Sequence, residues 1–300
     1  MRKAAVSGQF YPGDARELRK QIESCFKQDL GAGMPKVSMK LNKIYGAVVP
    51  HAGYTYSGAC ASHVYKEICE LNKKDLPETF IILGPNHTGH GKSSFSLSME
   101  DFETPLGIAR NNNEFSELLV KKAEELNIDL KQDETANKYE HSIEVQLPFL
   151  QYIYSLINSQ FNIVPVVVST LDYDRCVNAA DMIAGLIKEH NKKICILASS
   201  DFTHYGSSYG FMPFPSDKNT KDKLRQLDRN VINNILKFDY NNFYKEAVKT
   251  TICGTAAILI AIDMCKNLGA KKASLLKYYS SGDITSDYKN AVGYAAMTFI

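Results

Sequence analysis

Four short runs of β-branched and aliphatic residues, Ile44–Val49, Phe80–Leu83, Ile163–Val168 and Ile194–Leu197, are nearly continuous in apolar side chains. A strand with one face in water alternates polar with apolar, so an unbroken apolar run marks a strand buried on both faces. This constrains the fold more than any other feature, because such a sheet needs helices on both sides. The chain supplies them between the runs, as helical patterns at Ala59–Leu71, Asn113–Leu126, Ile143–Ile157 (with Pro148 kinking or delaying it) and Cys176–His190. An amphipathic helix is expected over Asp14–Gln28, followed by a Gly/Pro loop at Gly31–Pro35. Further helices are expected at Asp217–Leu236 and Gly254–Asn267, and closing strands at Ser274–Tyr279 and Val292–Phe299, with Ser280–Asp283 as a loop. Alternating β and α units predict one α/β domain over residues 1–300, with a largely parallel central sheet and helices on both faces.

Right-handed crossovers place the carboxyl ends of parallel strands on one edge, where open α/β sheets bind their ligands. The polar residues gather at that edge. The run Val48-Val49-Pro50 ends in His51, Ile81-Ile82-Leu83 leads through Gly84-Pro85-Asn86 to His87, and Ile196-Leu197-Ala198 delivers Asp201, with His204 three residues on. Three separate strands therefore aim His or Asp at one crevice.

Composition narrows the class of partner. With 35 basic against 33 acidic residues, the formal charge of +2 gives no electrostatic case for nucleic acid or anionic lipid. The longest apolar stretch, Ala256–Ile262, is far short of the roughly 18 residues a membrane span needs. No apolar segment of the signal-peptide kind follows Met1–Val6. Seven cysteines, none in CxxC spacing, suggest neither a disulfide framework nor a zinc ribbon, and reduced thiols in a cytoplasmic protein fit this pattern. Cys60, Cys69, Cys195 and Cys265 fall within helix or strand patterns and read as core. The lysine-rich stretches Asn72–Lys74 and Asn191–Lys193 read as solvated surface.

Two imidazoles from different strand ends can share one transition metal, since the neutral ring nitrogen is a good ligand. Asp201, His204 and Cys253 are the candidates for a third ligand. Cys253 precedes an apolar helix, whose N-terminus would favour thiolate; the alternative is a small buried hydrophobe. In Tyr139-Glu140-His141-Ser142-Ile143-Glu144, titratable groups cluster near a helix start. They serve general acid/base work or a helix-entry network in which Ser142 caps, with His141 facing the cleft. Tyr54 and Tyr56 either orient a ligand through their hydroxyls or pack the loop. Gly91-Lys92-Ser93 lacks the glycine a phosphate loop needs five positions earlier, and neither HExxH nor GxSxG occurs.

Six segments together resemble the Memo family: Gly8-Gln9-Phe10-Tyr11-Pro12, Pro50–Gly58, Leu83–His87, Glu140–Glu144, Ser199–Gly206 and Thr251-Ile252-Cys253-Gly254. They occur in that family's order, and the resemblance runs from near residue 4 to the C-terminus. It implies the α/β fold of class III extradiol, LigB-type nonheme iron dioxygenases. It also implies a metal site at His51, His87 and Cys253, in a cleft shared with His141, Asp201 and His204. Eukaryotic members are linked to copper or iron redox chemistry and to phosphotyrosine peptides. The dioxygenases hold iron with two His and a carboxylate, so a thiolate third ligand shifts preference toward Cu(I) or Zn and puts ring cleavage in doubt.

The expected function is therefore a metal-dependent (iron or copper, with zinc as a further candidate) redox enzyme acting on a small substrate. His141, Asp201 and His204 would serve as catalytic groups, and Tyr54, Tyr56 and Asn86 would contact substrate. The alternatives are a non-catalytic module that binds a small molecule or peptide in the same cleft, and a metal-independent thiol enzyme using Cys253.

Overall fold

The computed structural model describes residues 1–36, 43–190 and 192–300, which leaves Asn191 of the expected surface stretch outside the described residues. In chain order the elements are α1 (Ala15–Lys27), β1 (Gly46–Val49), α2 (Tyr54–Cys69), β2 (Thr79–Pro85), β3 (Phe95–Leu97), β4 (Phe102–Thr104), β5 (Gly107–Asn111) and α3 (Asn113–Glu125). Then come β6 (Leu130–Gln132), the short helices α4 (Glu134–Asn137) and α5 (His141–Glu144), α6 (Leu147–Leu156), β7 (Asn162–Val168), α7 (Tyr173–His190), β8 (Ile194–Ser199) and β9 (His204–Gly206). The last are α8 (Thr220–Leu236), α9 (Tyr240–Ala247), α10 (Thr255–Leu268), β10 (Ala273–Ser280), α11 (Ser281–Thr285) and β11 (Asn290–Phe299).

The chain forms a single α/β domain around a mixed sheet in the order β10-β11-β1-β8-β2-β7-β3-β6. Its centre is parallel: β1 pairs with β8, β8 with β2, and β2 with β7. Antiparallel strands frame that centre, β11 beside β1 and β3 beside β7. The four apolar runs of the sequence are these four central strands. Their residues divide by parity between two cores. Ile81, Leu83, Val164, Val166, Ile196 and Ala198 join the layer with α3, α7 and α10. Phe80, Ile82, Ile163, Val167, Cys195 and Leu197 join the layer with α1, α2 and α6. Each fully buried Val, Leu, Ile or Phe contributes about 1.5–3 kcal/mol relative to exposure, and that is why register is held firmly here.

Several boundaries differ from the sequence pattern. Helix α2 begins at Tyr54, five residues earlier than expected, because the Tyr54 amide donates to Phe10 O (2.8 Å) and its hydroxyl to Val145 O (2.7 Å). The single helix expected over Ile143–Ile157 is two, α5 and α6, with Pro148 in the first turn of α6, where its missing amide proton costs nothing. The expected loop Ser280–Asp283 enters a short helix, closed by a capping box between Ser280 and Asp283. No helix among the described residues is long and apolar enough to cross a membrane.

One carboxyl group lies deep against β11. Asp228 of α8 accepts from the Thr203 amide (3.1 Å) and the Tyr278 hydroxyl (2.7 Å). Its approach requires Gly293, where an added Cβ would meet Asp228 Oδ2 at 2.1 Å. Burial pushes this carboxyl up to about 6 against the pull of those hydrogen bonds. The folded state therefore favours the protonated form. Stability is greatest below the ordinary aspartate range and falls as pH rises through 6, by on the order of 3 kcal/mol. Asp228→Asn keeps the shape and cannot ionise. Denaturant unfolding at pH 4 and pH 7 is expected to show the variant gaining on the wild type at the higher pH; an equal difference at both would refute this account.

Candidate metal centre

β1, β8 and β2 are adjacent, parallel and end at one level, so the loops after them meet. His51 follows β1 with 2% of its surface exposed, and its amide donates to Asp201 Oδ1 (2.8 Å) beyond the end of β8. The Ala52 amide donates to the same oxygen (3.3 Å). One carboxylate oxygen thus ties two strand ends together. Burial raises the pKa of Asp201, while His204 and the two amides pull against it.

His87 follows β2, and both its amide (2.6 Å to Oε2) and its Nδ1 (2.9 Å to Oε1) meet Glu140. Glu140 caps α5, accepting from the Ser142 amide (2.9 Å). Burial alone would raise its pKa, but the hydrogen bond and charge of His87, the charge of His141 and the Ser142 amide hold it down at about 2. An ionised carboxylate only accepts, so the Nδ1 of His87 carries a proton and Nε2 is the ring atom left for a ligand. The cap is Glu140, not Ser142; the Ser142 hydroxyl instead donates to Pro85 O (3.1 Å).

His204 is fixed in the same tautomer. Its Nδ1 lies 3.1 Å from Thr251 O, which can only accept, and its amide donates to Thr251 Oγ1 (2.8 Å). His141 lies against both other imidazoles, with ring centroids 4.5 Å from His87 and 5.4 Å from His51, and Phe10 covers its other side at 4.7 Å. Burial and the neighbouring His87 push it down to about 4. Burial likewise pushes His51 well below the ordinary histidine range, so His51 and His141 favour the neutral form, the form in which a histidine binds a metal.

Cys253 Sγ sits 3.3 Å from His51 Nε2. The turn that carries it presses on the end of β8. A Cβ on Gly254 would meet Ser200 Cβ at 2.4 Å and Ser199 O at 2.7 Å, so only glycine allows the approach. The helix behind this turn starts at Thr255, and burial, with the Asp201 charge, pushes the Cys253 thiol up rather than down. The expectation of a helix-stabilised thiolate is corrected accordingly. Without a metal this is a thiol.

Ligand atoms of His51, His87 and Cys253 all lie within 4.8 Å of one another, and those of His87, Glu140 and His141 form a second such group. Ligands at 2.0–2.3 Å around a tetrahedral metal stand roughly 3.3–3.7 Å apart, so the first group fits one ion after slight contraction. In the second group, Glu140 is already spent on the Nδ1–H and amide of His87. The donor set of the first group, two imidazoles and a thiol, suits a soft or borderline transition metal.

The cleft over this group has a volume of about 570 Å³ and is lined by His51, His87, His141, Asp201 and His204, with aromatic walls from Phe10, Tyr56, Tyr209 and Tyr294. The structure thus gathers the expected His, Asp and Cys residues, and it sets apart two others. Tyr54 is buried in the core and packs on Phe149 (4.8 Å), not on the cleft. Asn86 is also absent from the lining; it shapes its own loop, donating to His90 O (2.7 Å) and Ser169 Oγ (2.9 Å). Sequence reasoning missed Tyr209, Tyr294 and the orienting role of Glu140. Only Glu140 carried a signal, its place immediately before a helix turn.

A family model described as Memo-like protein matches residues 2–298. A MEMO1 family protein of Methanopyrus kandleri is 40% identical over 304 residues, covering 99% of this chain and 98% of its own. One from Methanococcus vannielii is also 40% identical, covering 99% of both chains. The crystal structure of an uncharacterized Escherichia coli K12 protein is similar in fold, with a TM-score of 0.50 at 11% identity, over 85% of this chain and 99% of that one.

Proposed function

This chain belongs to the Memo family, and we propose that it is a metal-dependent redox enzyme that holds iron or copper at His51, His87 and Cys253 and acts on a small molecule. The observation that carries this reading is the convergence of three donor side chains, following β1, β2 and in the turn before α10, to within 4.8 Å of one another. Bound there, the metal would supply one-electron chemistry and an electrophilic contact for substrate. A thiolate in the set favours Cu(I), with Zn as the redox-silent competitor.

The residues around the sphere have separate work. Thr251 leaves Nε2 of His204 as that ring's basic nitrogen, so His204 takes a proton from a bound molecule. Asp201, raised by burial, holds its proton more firmly than an exposed aspartate and can hand it to a group that becomes basic during reaction. Phe10, Tyr56 and Tyr209 narrow the cleft and displace water from the reacting group.

Two other readings have less support. A thiol enzyme needs thiolate, and burial holds Cys253 as thiol. A module for anionic peptides needs cations, and no Lys or Arg lines the cleft among the described residues. The deciding experiment is elemental analysis of anaerobically purified protein, before and after reconstitution with Fe(II), Cu(I) and Zn(II). One equivalent of iron or copper is expected. Protein that stays metal-free after reconstitution would overturn the reading, and retention of zinc alone would remove its redox part.

A further inference from the structure

His87 and His204 have their tautomers set by partners that can only accept, but the partner of His51 Nδ1 is a hydroxyl, Ser199 Oγ at 2.9 Å, which can donate or accept. The ambiguity disappears when the neighbouring hydrogen bonds are counted outward. Ser199 Oγ stands 2.6 Å from Ser142 O, a carbonyl that can only accept, so the single hydroxyl proton is committed there. Gln146 Nε2 stands 2.8 Å from the same Oγ and 3.1 Å from Pro50 O. Reversing that amide would set its oxygen against the Pro50 carbonyl oxygen, so the NH2 group must face this way. Its oxygen then accepts from the Tyr65 hydroxyl at 2.5 Å. Ser199 Oγ is left as a pure acceptor, with one lone pair taken by Gln146 and the other open to His51.

We infer that Gln146 and Ser199 are positioning residues that force His51 into the Nδ1–H tautomer and so present its Nε2 lone pair to Cys253 Sγ, 3.3 Å away. All three strand-end histidines then follow one rule through three different acceptors: a serine hydroxyl, the Glu140 carboxylate and the Thr251 carbonyl. Without the fixed acceptor, neutral imidazole in water prefers to carry its proton on Nε2, which would point a hydrogen at the ligand sphere. Ser199 and Gln146 are both buried. The consequence for metal rests on the proposed metal site; the tautomer does not.

The test separates the two. Metal-free protein labelled with 15N-histidine is examined by long-range 1H–15N correlation, and the His51 signals are identified by their loss in His51→Ala. The wild type is expected to show a protonated Nδ1 and a bare Nε2. Ser199→Ala is expected to move the proton to Nε2 in part or whole and to weaken zinc binding, read by chelator competition, by about 10–100-fold. Ser199→Thr, which keeps the hydroxyl, restores both. A wild-type spectrum with protonated Nε2 overturns the inference, as does a Ser199→Ala protein with unchanged tautomer; the wild-type spectrum decides alone if that variant does not fold. A wild type with Nδ1–H that binds no metal removes the metal-site reading and leaves the tautomer assignment standing.

Discussion

Exchanging Cys253 for serine, or His51 for alanine, is expected to lower metal affinity by more than the roughly 100-fold that marks the upper effect of losing a ligand's hydrogen-bonding partner. Each removes a donor atom outright. Cys253 Sγ and His51 Nε2 are 3.3 Å apart and form one candidate group with His87, and among the described residues no second cysteine belongs to either candidate group. The alternative cluster makes the prediction sharp. His87 belongs to both groups, whereas His141 belongs only to the one with Glu140. His141→Ala is expected to change affinity by less than about tenfold, since its ring packs against the ligands and, in this assignment, does not bind the metal. Chelator competition with each purified variant measures all three. If His141→Ala loses the metal and Cys253→Ser keeps it, the ion sits in the second group and the assignment is wrong.

Glu144→Ala is expected to destabilise the protein by about 3–5 kcal/mol, the usual cost of stranding one partner of a buried ion pair. Glu144 and Arg2 are almost completely buried and meet at 2.6 Å. The carboxylate also accepts from the Ala5 amide (2.8 Å), the Val6 amide (3.1 Å) and the Tyr11 hydroxyl (2.5 Å), so its removal leaves a buried cation and three donors unpaired. Denaturant unfolding at fixed pH measures the loss. A cost below about 1 kcal/mol would mean that water reaches the pair and that its burial does not decide its worth. The effect should extend to the metal centre, because Arg2 also donates to Glu140 O (2.6 Å) and Asn137 O (2.7 Å), and Glu140 holds His87.

The central strands were legible because burial on both faces leaves an unmistakable mark, an apolar run without alternation. Ligand candidates were legible for a related reason, since each of His51, His87 and Asp201 follows such a run within four residues. What escaped were elements with no local signature. β3, β4 and β6 have three residues each, too few for any period to register, and exist through pairing to β7, β5 and β3. The early start of α2 rests on Phe10 and Val145, contacts from far along the chain that overrode the poor helix propensity of Tyr54-Thr55-Tyr56. Tyr54 illustrates the limit best. It stands one position from the small residues that line the cleft, yet helix geometry turns it into the core while Tyr56 faces out. Cys253 shows a different one: its distance from a helix start could be guessed, but the desolvation that governs its thiol belongs to the assembled fold.

Cys253 approaches His51 across a sequence separation of 202 residues, with His87 between them in the chain. At a synthesis rate of about 5–20 residues per second, the thiol leaves the ribosome roughly 10–40 s after the first imidazole. During that interval a newly made chain holds two of the three proposed ligands and lacks the thiol of Cys253. Under the proposed assignment, selection among metals would be deferred until the molecule is nearly complete, when the three proposed ligands first stand together. If the proposed site holds a metal, loading would then be a property of the finished protein, and the cellular pool that meets it at that moment would decide which ion it carries.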